Sequence, residues 1–195
     1  DFCNEIVKKP VILIGNSIGG VIALKASERL NKTCVSVVLI DCAQRTMDDK
    51  RLAEKSLFMR LTRPVIKTLV RQRLLSQTLF MNAAKKSFIE KILKIAYPTG
   101  SNINKELIDI LYQPTQKDGA PEAFRGFINL FDDYLATDLL KNSKIPVYLI
   151  WGEKDPWEKL MEAKKWSNSF KCIKSLDIIK DAGHCPHDEV PEKVN

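Results

Sequence analysis

The chain has 195 residues, 45% hydrophobic and 28% charged, a globular mixture that excludes disordered, collagen-like and low-complexity classes. Its length fits one domain, or one domain carrying a large insertion. The 31 Lys and Arg outnumber the 24 Asp and Glu for a formal charge of +7, which permits an anionic partner without requiring one.

Asp1 to Lys9 reads as the end of an amphipathic helix with Phe2, Ile6 and Val7 as its apolar positions, broken by Pro10. The opening residues, DFCNEIVKKP, are neither a signal nor a transit peptide, and they lack a starting Met. A piece of a longer protein is therefore expected. PVILIG follows, an apolar run rich in β-branched residues that suits a strand buried on both faces of a parallel sheet. From Ser17 the pattern turns helical through Val21, Leu24 and Leu30, stopping near Asn31. Further buried strands are expected at Val35 to Ile40, Val147 to Trp151 and Ser175 to Ile179, with a helix over Glu158 to Ser167. Strand–helix–strand alternation predicts a parallel α/β sheet with right-handed crossovers.

The interval 44–143 breaks this alternation, and it divides the chain into core (1–43), helical insertion (44–143) and core again (144–195). Helices are predicted near Asp49–Leu61, Val65–Leu75, Ser87–Ala96, Lys105–Tyr112 and Glu122–Leu135. Pro64, Pro98, Pro114 and Pro121 punctuate them, with Pro121 placed for a first helical turn. No run of about 18 apolar residues is present to form a transmembrane helix. Five widely spaced Cys without a CxxC pair read as reduced thiols, in an intracellular setting, and not as a disulfide framework.

Gly15-Asn16-Ser17-Ile18-Gly19-Gly20 directly follows the first strand and opens a helix, which is the GxSxG pattern in its required context. A serine turned sharply between strand and helix takes a strained backbone, and Gly15, Gly19 and Gly20 let the two elements approach. The Ile18 N–H, first after the serine, is placed to donate to an oxyanion. The bland alternative is a glycine-rich phosphate turn. It lacks the Lys of a P-loop and the glycine spacing of a dinucleotide fingerprint.

A serine nucleophile needs a base, and the base an orienting acid. Of the two His, His184 follows Gly183 at the end of the fourth strand and is the expected base; His187 reads as a solvent-facing or locally packed turn residue. Asp155, after the third strand, is the expected acid, ahead of Glu153. Asp41 is an alternative acid, or a helix cap or polar neighbour of the nucleophile. The order Ser, Asp, His matches an α/β-hydrolase. His184, Cys185, His187 and Asp188 do not have zinc-ligand spacing, so no metal is expected, and the chemistry needs no cofactor. Cys185 reads as structural.

VILIGNSIGGVIAL, IPVYLIWGEKDPWE and DAGHCPHDEVPEKVN together resemble the α/β-hydrolase superfamily. More narrowly they resemble the plastid and cyanobacterial group that includes pheophytinase and chlorophyll dephytylase. The resemblance implies a parallel-sheet α/β-hydrolase fold, seen from the strand before Ser17 onward, with the insertion as a lid. It also implies ester hydrolysis by Ser17, His184 and Asp155, a hydrophobic or pigment-like substrate, and a plastid location. Hydrolases of this superfamily that cleave carbon–carbon bonds share GNSxGG but carry Trp after the base, where this chain has Cys185. Dehalogenases and epoxide hydrolases use an Asp nucleophile, against which Ser17 argues. A non-catalytic binding module on the same scaffold is the rival class. Family members have further strands before this one, so residues 1–195 alone are expected to expose an apolar sheet edge and to be poorly soluble or inactive.

From Gln44 to Gly100, 13 Lys and Arg face only Asp48, Asp49, Glu54 and Glu90. Leu57, Phe58, Met59, Leu61, Leu79, Phe80 and Met81 lie beside them. One reading is a basic, amphipathic surface that rests on an anionic membrane. The other is a set of ordinary helices with solvated Lys faces and packed apolar faces. Nucleic acid is not an expected partner, since aromatics do not interleave with the basic residues.

Overall fold

The computed structural model describes residues 2–45, 48–129 and 132–195. They separate into two compact units. The first comprises 1–44, 95–102 and 134–195; the second comprises 45–94 and 103–133.

The first unit is built on four parallel strands: β1 (Val11–Asn16), β2 (Cys34–Ile40), β3 (Val147–Gly152) and β4 (Ile173–Ile179). Their order in the sheet is their order in the chain. All four lie where the apolar runs place them, with β4 beginning two residues earlier than Ser175. Helix α1 (Ile18–Leu30) runs along β1 and β2, and α8 (Leu160–Ser169) along β3 and β4. Helix α7 (Ala136–Asn142) packs beside α1. Val21 and Leu24 of α1 meet Val37, Leu39, Val147 and Leu149 of the central strands in one apolar core. Trp151 of β3 sets its ring edge-on to Trp166 of α8, 5.9 Å between centroids. The opposite side chains of β1, Ile12 and Ile14, are exposed at an end of this sheet.

Parallel register carries the chemistry. Asn16 pairs with Ile40, Ile40 with Ile150, and Gly152 with Ile179. The residues following all four strands therefore gather at one rim, where an open parallel sheet presents functional side chains.

The second unit contains α2 (Leu57–Arg71), α3 (Arg73–Ala83), most of α4 (Lys86–Ala96), α5 (Lys105–Tyr112) and α6 (Ala120–Ile128). Phe80 of α3 packs on Phe124 of α6, centroids 5.7 Å apart. Three expectations change here. Pro64 does not separate two helices; α2 runs through it, and Asp49–Glu54 is a separate 3-10 turn. The missing Pro64 N–H costs one ladder bond, which a 15-residue helix survives. The helix expected to run to Leu135 ends at Ile128, after Pro121 in its first turn, and residues 130–131 of that expectation lie outside the described residues. The insertion is not one continuous block over 44–143. Residues 95–102 and 134–143 group with the sheet, and in the first of these stretches Ala96, Tyr97, Thr99 and Asn102 bond to residues of 184–189. Among the described residues no helix is long and apolar enough to cross a membrane.

Candidate active site

Ser17 stands between β1 and α1 with φ 54°, in the left-handed region that costs a non-glycine residue on the order of 1–2 kcal/mol. The end of β2 holds it there. Its N–H donates to the Ile40 carbonyl at 2.9 Å, and its carbonyl accepts from Gly20 and Ala43 at 3.0 Å each. A Cβ at residue 15 would lie 2.2 Å from the Gly19 carbonyl oxygen, and one at residue 20 would lie 2.8 Å from Cys42 Sγ. Gly15 and Gly20 are thus the positions where space demands glycine. Gly19 is not: a Cβ there would meet nothing within 4 Å. Ile18 opens α1, so its N–H has no acceptor within the helix and faces the same rim.

Asp155 and His184 come together from the loops after β3 and β4. Asp155 Oδ2 lies 2.8 Å from His184 Nδ1, and both residues are buried. The other oxygen, Oδ1, accepts from the amides of Trp157 at 2.8 Å and Glu158 at 3.0 Å. Burial pushes this carboxyl up, but the bond and charge of His184 and the two amides outweigh it, so it stays below its ordinary value. Of the alternatives, Glu153 accepts from the exposed amide of Asp181 at 3.1 Å, and His187 is exposed.

Asp41 sits at the end of β2 with φ 41° and no exposed surface. Its N–H donates to the Ile150 carbonyl and its Oδ1 accepts from the Gly152 amide at 2.9 Å, while Oδ2 meets no hydrogen-bond donor among the described residues. Burial first, then the charge of Asp155, pushes its carboxyl up to about 10. Both effects favour its neutral form, beside the carboxylate that His184 engages.

Ser17 Oγ makes no hydrogen bond to the imidazole; the serine turn and the histidine loop are joined through residue 16. Asn16 Nδ2 donates to the carbonyls of Ile40 at 3.2 Å and His184 at 2.9 Å. Serine–base contacts are commonly loose before substrate binds. Trp157 sets its ring against the imidazole, 4.9 Å between centroids.

Glu189 anchors the histidine loop from beneath. It is 2% exposed, and it accepts from Gly183 N at 2.6 Å and from Thr99 N and Oγ1 at 2.8 and 2.5 Å. The Ala96 carbonyl accepts from His184 N at 2.9 Å. Cys185 donates to Asn16 Oδ1 at 3.8 Å, and burial pushes its thiol up to about 11, which keeps it unreactive.

Asn16, Trp157, Glu189 and the 95–102 segment were not singled out by the sequence. The available signals were slight: a polar residue inside GxSxG, and an acid three residues after Pro186. Nothing local tied residues 96–99 to a loop almost 90 positions on.

Comparison with known proteins agrees with this architecture. The chain is 26% identical over 201 residues to the chloroplastic pheophytinase of Arabidopsis thaliana, which covers all of this chain and 41% of that protein. A thermophilic esterase from Thermogutta terrifontis matches with a TM-score of 0.64 at 20% identity, covering 99% of this chain and 65% of the other. A bacterial membrane phospholipase A matches with a TM-score of 0.65 at 26% identity, covering 99% and 56%. The chain thus spans less than half the length of the pheophytinase and under two thirds of these structures. The model of the alpha/beta hydrolase family matches residues 1–195 throughout, and the chain belongs to that family.

Proposed function

We propose that the protein is a serine hydrolase that cleaves a carboxylic ester with a hydrophobic, pigment-like substrate portion. The observation that carries this reading is a serine held at φ 54° on the same sheet rim as a buried aspartate–imidazole pair at 2.8 Å. The pheophytinase and phospholipase relatives support the reaction class.

In this mechanism Ser17 Oγ attacks the ester carbonyl carbon while His184 Nε2 takes its proton. Asp155 Oδ2 holds Nδ1–H, which fixes the tautomer and stabilises the imidazolium. The Ile18 amide donates to the oxyanion. Collapse of the tetrahedral intermediate breaks the carbonyl–alkoxy bond, His184 returns the proton to the departing alcohol, and an acyl-Ser17 remains. Water, deprotonated by His184, releases the acid and restores the serine. Trp157, Asn16 and Glu189 are positioning residues that keep the imidazole against Asp155.

Fluorophosphonate labelling of the full-length protein tests the proposal. Wild type should label, and Ser17→Ala and His184→Ala should lose labelling together with ester turnover by several orders of magnitude. Equal labelling of wild type and Ser17→Ala removes Ser17 from the mechanism.

A further inference from the structure

Helix α2 carries four basic residues, Arg60, Arg63, Lys67 and Arg71, and no acidic one. At 100° per residue, Leu57, Leu61, Val65 and Leu69 form a single stripe with Phe58 beside it. An ordinary amphipathic helix buries such a stripe and solvates its cations. This one leaves the stripe exposed and buries one of its four cations. Arg63 is 4% exposed, and Arg63 and Lys67 both pair with Asp49 of the preceding turn. Leu57, Phe58 and Leu61 are 68%, 73% and 69% exposed, and Val65 is 60% exposed.

The stripe is also polished of polar donors. Thr68, within the stripe, and Thr62, at its edge, turn their hydroxyls back onto the Pro64 and Phe58 carbonyls at 2.9 Å each. Those two hydroxyl groups keep their donated hydrogen bond if the face leaves water, and one of the acceptors is the carbonyl of the helix-interior proline. Arg60 and Arg71 are exposed and lie on one flank of the stripe. Long basic side chains in that position can lay their stems along an apolar phase and keep their charge at its surface.

We infer that the outward face of α2 docks on the surface of an anionic lipid bilayer, with the leucine stripe in the acyl boundary and Arg60 and Arg71 at the headgroups. The charge selects this occupant. The stretch 44–100 holds 13 Lys and Arg against four acids, so a second copy of the same face meets like charge, whereas anionic lipid meets opposite charge. The inference is separate from the reading of the active site, since lipid binding requires no turnover.

Flotation of the full-length protein with phosphatidylcholine vesicles, with and without about one third phosphatidylglycerol, tests it. Wild type should float with the anionic vesicles only, and added salt should weaken it. Leu61→Glu with Val65→Glu should reduce partitioning at least tenfold, with the thermal midpoint unchanged because both side chains are exposed. Arg60→Glu with Arg71→Glu should erase the preference for anionic lipid. The inference is overturned by equal binding to neutral vesicles, by undiminished binding of the Leu61/Val65 variant, or by a lowered midpoint in that variant, which would mean that other chain covers the face. A dimer of the lipid-free protein that this variant dissolves would assign the face to a second copy and likewise overturn it. Fluorophosphonate labelling retained in the same variants separates failure here from failure of the hydrolase reading.

Discussion

Two helices of this chain, α1 and α2, have clear apolar positions and put them on opposite sides of the protein boundary. Helix α1 turns Val21 and Leu24 onto the sheet. Helix α2 turns Arg63 inward and Leu61 outward. The difference lies in what each helix meets. Parallel strands offer α1 the side chains of Val37 and Leu39, which only apolar groups match. The turn before α2 offers it the carboxylate of Asp49, whose bond to Lys67 and attraction to Arg63 hold it below its ordinary value despite partial burial. Periodicity therefore reveals that a helix has two faces, while the neighbour decides which face turns in.

The sharpest break of this contrast is a matched pair of truncations. Leu24→Ala should destabilise the first unit by about 2–5 kcal/mol, through lost transfer energy and the cavity left behind. Leu61→Ala should stay within about 0.5 kcal/mol, since it removes surface already in water. Urea unfolding of the full-length protein measures both. Equal losses would mean that the α2 stripe is buried after all, and the inversion would be lost. A smaller contrast separates the glycines of the serine turn. Gly15→Ala drives a Cβ into the Gly19 backbone and should cost about 3 kcal/mol or more and abolish fluorophosphonate labelling. Gly19→Ala meets open space at a helical position and should be neutral or stabilise by up to about 1 kcal/mol.

The strands were legible because VILIGN, CVSVVLI and VYLIWG are continuous apolar runs, although β1 is not buried on both faces as expected: Ile12 and Ile14 are exposed. Ser17 and Asp155 stand out in the sequence because each follows such a run, while His184 follows the more broken IKSLDII. Less local matters were not. Pro64 reads as a stop in any window, yet α2 carries it, since one missing ladder bond is a small loss to a helix anchored by Arg63 and Lys67. The placement of Ala96 and Thr99 under the histidine loop depends on hydrogen bonds across some 90 residues of chain, for which no spacing rule exists. The orientation of α2 depends on Asp49, one acid among many in the composition.

A sharper test of the inverted helix follows from its buried cation. Arg63→Ala removes the guanidinium from a site where it is 4% exposed, and should cost the second unit about 1–3 kcal/mol. Arg60→Ala, on the exposed side, should change stability by less than about 0.5 kcal/mol. If the two cost the same, Asp49 does not orient the helix.

A last contrast concerns Asp41, a buried acid at the rim that the proposed mechanism leaves idle. Asp41 holds its proton in the fold up to about 10, against an ordinary value of 3.8. Between those limits the folded chain binds a proton that the unfolded chain has released, so this group's contribution is complete below pH 3.8 and falls as pH rises through the window. Asp155 has the opposite sign: its lowered value favours the fold above the ordinary carboxylate range and loses that contribution in acid. Asp41→Asn cannot titrate, but its side-chain oxygen can still accept from Gly152 and its amide can donate where the acid proton stood. The variant should match wild type near pH 4 and gain on it steadily towards pH 9, about the span in which Asp41 differs from its unfolded state. Urea unfolding across that range gives the two slopes. Parallel slopes would mean that Asp41 is ionised in the fold, two carboxylates would then share the ground beneath His184, and the neutral-acid description of this corner would have to be abandoned.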